Sequence, residues 1–203
     1  SVTLMAQYVW QSSISLAEQL CSKSVDVSGK TVLELGAGSA LPSIAACLSG
    51  AKLTVTTDYP EDEIVKNMER NFQENLQLDF IKDHVKVCGY KWGEDSSELI
   101  KLNGGNKFEV IIMADTLWLE DQHENLAKSC SELLREDGLL VSVYMHHDDH
   151  SRVAPSFFEL AKERYQLETI TQTAIEWDET RTDNDDPEEY GLVYLRLLRL
   201  QKS

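Results

Sequence analysis

Residues 31–60 read TVLELGAGSALPSIAACLSGAKLTVTTDYP, and this stretch decides the fold. The run 31–35 (TVLEL) is β-branched and apolar but carries an acid, Glu34. Gly36 and Gly38 follow it, then a helix-like segment over 40–49. A second apolar run, 52–57 (KLTVTT), leads into another acid, Asp58. Two buried strands that each bring a carboxylate to their C-terminal end suggest an open parallel sheet, where ligands bind at that edge. Glycines between strand and helix permit a tight turn and close approach of a ligand to the backbone. The helix N-terminus adds free N–H groups and partial positive charge. Asp58 is placed to accept two hydrogen bonds from a ribose diol; its other reading is a cap for the helix starting near Glu61. A dinucleotide fingerprint would need a third glycine where Leu41 stands, followed here by Pro42. Glu34 would also repel a pyrophosphate. S-adenosylmethionine fits better: Glu34 suits its charged methionine end and Asp58 its ribose.

Working outward, the chain goes on alternating. Strands are expected at 84–88, 108–114 and 138–145, and helices at 61–76, 95–101, 121–135 and 155–165. The last two strands, 167–175 and 190–199, have no helix signal between them, so they are expected to be antiparallel neighbours. Such alternation means βαβ units, an α/β fold with helices on both faces of the sheet. The first thirty residues read as a helical segment with Ile14, Leu16, Ala17 and Leu20 clustered. The chain as a whole, residues 1–203, reads as one domain.

The bulk numbers exclude several classes. Against 35 acids stand 19 bases, a net charge of −16. That disfavours direct nucleic-acid binding, which needs a basic stripe, and suits a basic protein partner. No apolar run approaches the roughly 20 residues that span a membrane. The opening SVTLMAQYVW lacks the pattern of a signal peptide. Cys21, Cys47, Cys88 and Cys130 are scattered, without a CxxC pair, which points away from zinc or a disulfide framework and towards a reducing, cytoplasmic setting.

VLELGAGSALPSIAA, TDYP at 57–60 and WG at 92–93 together resemble the seven-β-strand methyltransferases. Within them the chain is similar to the methyltransferase-like 21 group. The stretch TDYPEDEIVKNMERN is closest to the fungal nicotinamide-N-methyltransferase-like proteins that methylate translation elongation factor 1A near its N-terminus. The resemblance implies a Rossmann-like sheet of order 3-2-1-4-5-7-6 with strand seven antiparallel. It implies that Trp10 contacts the cofactor, that Gly36, Ala37 and Gly38 form the cofactor turn, and that Asp58, with Tyr59 beside it, holds the ribose. Trp92 would lie by the adenine and Ala114 would close that side. At Asp115-Thr116-Leu117-Trp118 the group has an acid, two residues, then Tyr or Phe. Asp115 and Trp118 are therefore the candidates for positioning a substrate amine, and Trp118 departs from the pattern. The function implied is methylation of a lysine or N-terminal amine of elongation factor 1A; single-domain size makes a monomer the default expectation. The alternatives are a small-molecule methyltransferase of the nicotinamide type and a non-catalytic cofactor-binding module.

Two further segments read differently. YMHHDDH at 144–150 holds five potential metal ligands, but neighbours in an extended segment point to opposite faces, so no metal site is expected. The stretch 176–190 has eight acids and one base, Arg181, and is a candidate for meeting a basic surface. His123 is expected at the surface or as a cap, and Leu126, Leu133 and Leu134 in the core.

Overall fold

The computed structural model describes residues 8–146, 153–175 and 193–201. The acidic stretch 176–190 and most of the histidine run, 147–150, lie outside these residues. The chain order is α1 (Gln11–Cys21), β1 (Thr31–Leu35), α2 (Leu41–Leu48), β2 (Leu53–Asp58), α3 (Asp62–Asn75), α4 (Leu78–His84), β3 (Val85–Gly89), α5 (Ser97–Leu102) and β4 (Phe108–Ala114). A 3-10 turn (Glu120–Gln122), α6 (His123–Leu133), β5 (Leu134–Tyr144), α7 (Val153–Tyr165), β6 (Leu167–Ile175) and β7 (Val193–Leu200) follow.

The seven strands form one sheet of order β3-β2-β1-β4-β5-β7-β6. β1 to β5 are parallel, with Leu33 beside Val55 on one side and Ile111 on the other. β7 runs antiparallel to both β5 and β6. The central strands are buried along most of their length, as strands covered on both faces must be: β4 keeps Val110 to Ala114 out of water. One face carries the layer of α6 and α7, with Leu126, Leu133 and Phe157 on Ile111, Leu140 and Leu198. On the other, α1 and α2 lay Leu16, Leu20 and Ala46 on Val32, Ile112 and Val141. In α1, Leu16, Ala17 and Leu20 are buried as their spacing predicts, whereas Ile14 is only half-buried.

Three features depart from the sequence expectations. α4 was not expected; of its apolar residues Phe80 and Ile81 are half-buried against the α3 layer, while Leu78 is exposed. β5 starts at Leu134, four residues early, because Leu134 pairs with Phe108. The exposed residues 135–137 then bulge out before Leu139 meets Val110. His123 is not at the surface. It is 3% exposed, its Nε2 is 2.8 Å from the Leu117 carbonyl, and its ring stands edge-on to Phe157.

The order of the strands reverses between β1 and β4, so the loops after β1 and β4 leave in opposite directions and open a crevice at the carboxyl edge.

Candidate active site

A cavity of about 420 Å³ fills that crevice, a size typical of small-molecule and cofactor sites. Its floor is the turn after β1. Gly36 and Gly38 both have left-handed backbones, at φ 71° and 52°. A Cβ on Gly36 would come within 2.8 Å of Thr116 Cγ2 and 3.0 Å of the Trp92 ring. The turn is therefore closed to any side chain at this point, and the backbone itself faces the cavity. It is tied to β2 twice: the Ala37 N–H donates to the Thr57 carbonyl at 3.0 Å and the Gly38 N–H to Asp58 Oδ2 at 2.7 Å.

Asp58 does not cap α3, which starts from Glu61 as its N-cap residue. Besides Gly38 it accepts the Tyr59 N–H at Oδ1, 2.6 Å away. Burial pushes its pKa up, and the hydrogen bonds from Gly38 and Tyr59 pull the other way. Each oxygen of a carboxylate offers two lone pairs, so Asp58 retains acceptor capacity on the cavity side after both backbone bonds are made.

Trp10, Gly36, Ala37, Gly38, Asp58, Tyr59, Trp92, Ala114, Asp115 and Trp118 all line this cavity. Of the residues singled out from the sequence, Glu34 does not. It is 1% exposed, and its carboxyl is turned under the floor towards α2, where Oε2 accepts the Ser43 N–H at 3.0 Å. The Ser43 hydroxyl donates to the same oxygen. α2 explains the direction: its N-cap, Ala40, has no side-chain acceptor for the first N–H groups, and Glu34 supplies one from the strand. The assignment of Glu34 to the charged end of a cofactor is corrected accordingly.

The opposite wall is the segment after β4. Asp115 is 8% exposed and left-handed at φ 56°, a conformation Asp tolerates better than most residues. Its N–H donates to the Val143 carbonyl at 2.9 Å, which anchors it to β5. Beyond it, His123 holds the Leu117 carbonyl from below, so the exposed Trp118 stands on a fixed base. Asp115 and Trp118 also wall a second, smaller cavity with Leu117, Met145, His146, Val153 and Ala154.

Ser13, Ser39, Tyr90, Lys91, Thr116, Asp121 and Gln122 line the main cavity without having been singled out. Tyr90 and Lys91 directly follow β3, and Asp121 and Gln122 close the loop after β4, so their position past parallel strand ends was the available signal. Ser13 had none: it lies on the buried face of α1.

Three of the exposed large apolar side chains stand around this one opening, Tyr8 at 62% and Tyr59 and Trp118 at 43% each. Tyr8 also packs edge-on against Trp10, with ring centres 5.1 Å apart. Asp58, Asp115 and Asp121 line the cavity with a single lysine, Lys91. A floor closed to side chains at Gly36, an acceptor-rich acid and the indoles of Trp10 and Trp92 form a cradle suited to a nucleoside with an amino-acid end.

Comparison with known proteins agrees with this geometry. Residues 2–164 match the family described as lysine methyltransferase. The chain is similar to the protein N-terminal and lysine N-methyltransferase EFM7 of Candida glabrata, 37% identical over 179 residues, covering 87% of this chain and 69% of that protein. It is also similar to the protein of that name from Schizosaccharomyces pombe, 33% identical over 180 residues, covering 85% and 69%. A solved structure described as a SAM-dependent methyltransferase from Streptococcus mutans shares the fold, with a TM-score of 0.66 at 16% identity over 94% of this chain and 49% of that one.

Proposed function

The chain belongs to the lysine methyltransferase family, and from that premise we propose that it methylates a lysine or the N-terminal amine of a basic protein, translation elongation factor 1A. It is an S-adenosylmethionine-dependent methyltransferase. The observation that carries the choice of a protein substrate is the open mouth, with Tyr8, Tyr59 and Trp118 exposed around the buried Asp115. A small acceptor would favour an enclosed site, whereas this rim gives a polypeptide aromatic surface to lie on. The relatives from Candida glabrata and Schizosaccharomyces pombe are named for the same two kinds of amine. Elongation factor 1A comes from the resemblance of residues 57–71.

The roles follow from position. Asp58 accepts the ribose hydroxyls, and the Gly36–Gly38 turn gives its backbone to the amino-acid end. Trp10, Tyr59, Trp92 and Ala114 enclose the adenosine. Asp115 receives the acceptor amine by a charge-assisted hydrogen bond, and Trp118 covers its apolar stem. When bound, S-adenosylmethionine supplies a methyl group on a sulfonium, an activated donor. The protein's part is then proximity and orientation. The amine must arrive neutral. An α-amine, near pKa 7.7, does so readily, and a lysine, near 10.4, needs desolvation between aromatic walls. The nitrogen becomes cationic as it takes the methyl group, and the buried carboxylate of Asp115 stabilises that charge before a proton leaves to water. The four free cysteines suit a reducing compartment, and we place the enzyme in the cytoplasm, acting as a monomer.

The test is transfer from labelled S-adenosylmethionine into purified elongation factor 1A and into a cytosolic extract, with Asp115→Asn as control and mass spectrometry of the labelled band. Label on the factor, lost in the control, is expected. Label confined to small molecules would replace this reading with the nicotinamide-type one. Cofactor binding with no label anywhere would favour a binding module.

A further inference from the structure

Glu34 and Asp115 are the buried acids among the described residues, and only Asp115 lines the cavity. Glu34 pairs with Thr56 of β2 and Ile112 of β4 in the middle of the sheet. Its Oε2 accepts both the N–H and the hydroxyl of Ser43, and the Thr56 hydroxyl donates to Ser43 Oγ at 2.8 Å. Between Glu34 and Ser43 the chain makes the whole cofactor turn. The carboxyl therefore closes that loop from behind, joining β1 to the first turn of α2. The Thr57 hydroxyl closes the remaining gap by donating to the Glu34 carbonyl at 2.7 Å.

We propose that Glu34 is a positioning residue for the cofactor: its carboxyl clasps α2 to β1 and holds the Gly36–Gly38 turn in its binding shape, without touching the cofactor. The clasp works with the carboxyl neutral. The ionisable groups facing it are Asp58 on β2 and the Cys47 thiol on α2, neither of them a cation. Among the described residues no basic side chain pairs with it. Burial pushes its pKa up to about 8, Ser43 pulling down and Asp58 pushing further up. Ionisation would leave a buried charge without a counter-ion, and the cheapest relief is to open the clasp to water. Cofactor affinity should then fall as pH rises through that range. A carboxylate that touched the cationic end of the cofactor would do the reverse, gaining affinity as it ionised.

Calorimetric titration with S-adenosylmethionine from pH 6.5 to 9 separates the two. Glu34→Gln keeps both bonds to Ser43 and cannot ionise. It should bind within about twofold of the wild type at pH 6.5 and more tightly than the wild type at pH 9, while Glu34→Ala should bind about tenfold more weakly throughout. The ligand's own amine titrates identically in both proteins and cancels in the ratio of wild type to Glu34→Gln. Ser43→Ala removes the hydroxyl half of the same clasp and leaves the backbone N–H bond; it should weaken binding severalfold, and serves if Glu34→Ala does not fold. Denaturant unfolding without cofactor gives a second readout: the wild type should lose stability as pH rises from about 4.5 towards 8, and Glu34→Gln should lose less, only the part due to other raised carboxyls such as Asp58. Glu34→Gln binding as weakly as Glu34→Ala at pH 6.5 would overturn the proposal and make Glu34 a charged ligand. Wild-type affinity in both Glu34→Ala and Ser43→Ala would leave the clasp without a role.

Discussion

The turn after β1 and the segment after β4 face each other across one cavity and are built on opposite plans. The first is short, and its backbone is tied down at Ala37 and Gly38 by Thr57 and Asp58 of the neighbouring strand. At Gly36 there is no room for a side chain. The second is longer, runs from Asp115 through Trp118 to the 3-10 turn, and is held at two points, Asp115 N–H on β5 and the Leu117 carbonyl on His123. Between and beyond those points it exposes a large ring to water. One wall is shaped for a single invariant ligand, while the other is anchored at its base and free at its rim. That division suits an enzyme whose cofactor never changes but whose acceptor arrives as part of a protein.

The contrast can be broken most severely at Gly36. Gly36→Val adds branched carbons where a Cβ alone meets Thr116 Cγ2 at 2.8 Å, on a backbone at φ 71°. Cofactor affinity measured by calorimetry should fall by more than about a hundredfold, with strain of roughly 1–3 kcal/mol adding to the steric loss. Asp58→Ala comes next. It removes a charged acceptor that also organises the Gly38 and Tyr59 N–H groups, so binding should weaken by about 1.5–3 kcal/mol, the scale of a charged hydrogen bond. Undiminished affinity would remove the ribose role.

The other wall should behave differently. Asp115→Asn keeps a residue that tolerates the left-handed backbone but removes the charge. Methyl transfer should drop about tenfold to a hundredfold while cofactor affinity holds, since a charged hydrogen bond is worth about 1.5–3 kcal/mol. Loss of cofactor binding would show that Asp115 belongs to the cofactor wall. The smallest effect is expected from Trp118→Ala. With the ring 43% exposed, unfolding free energy should change by less than about 1 kcal/mol. The KM for the protein acceptor should rise about threefold to tenfold if an amine stem or cation rests on the ring. Steady-state kinetics at fixed, saturating cofactor reads this directly.

Which parts were legible beforehand follows the same physics. TVLEL and KLTVTT announced buried strands because continuous β-branched runs have few other uses, and their ends gave the address of Asp58 and the glycine turn. Of the outer strands the pattern showed only that the last two are antiparallel neighbours, through the missing helix between them; the rest of the order came from resemblance to a family. Glu34 shows the limit of an address. Its position at a strand end was readable, but the face to which its side chain turned depended on Ser43, nine residues on, and on an N-cap alanine that cannot cap. His123 left no trace in the sequence, because its partners Leu117 and Ser156 lie on separate elements. α4 was missed because it is only seven residues long and buries none of them fully: Leu78 is exposed, and Phe80 and Ile81 are half-buried, so no apolar stripe stands out.

The antiparallel β7 has a consequence for how the protein is made. Among the described residues β6 pairs with β7 alone, and β5 has β7 as its only neighbour away from β4. During synthesis both strands must therefore wait with bare edges until residues 193–200 have left the ribosome. An unpaired apolar edge is a template for joining another chain. Synthesis of β7 thus governs how long β5 and β6 stand exposed to aggregation, though among the described residues β7 contributes none to the cavity.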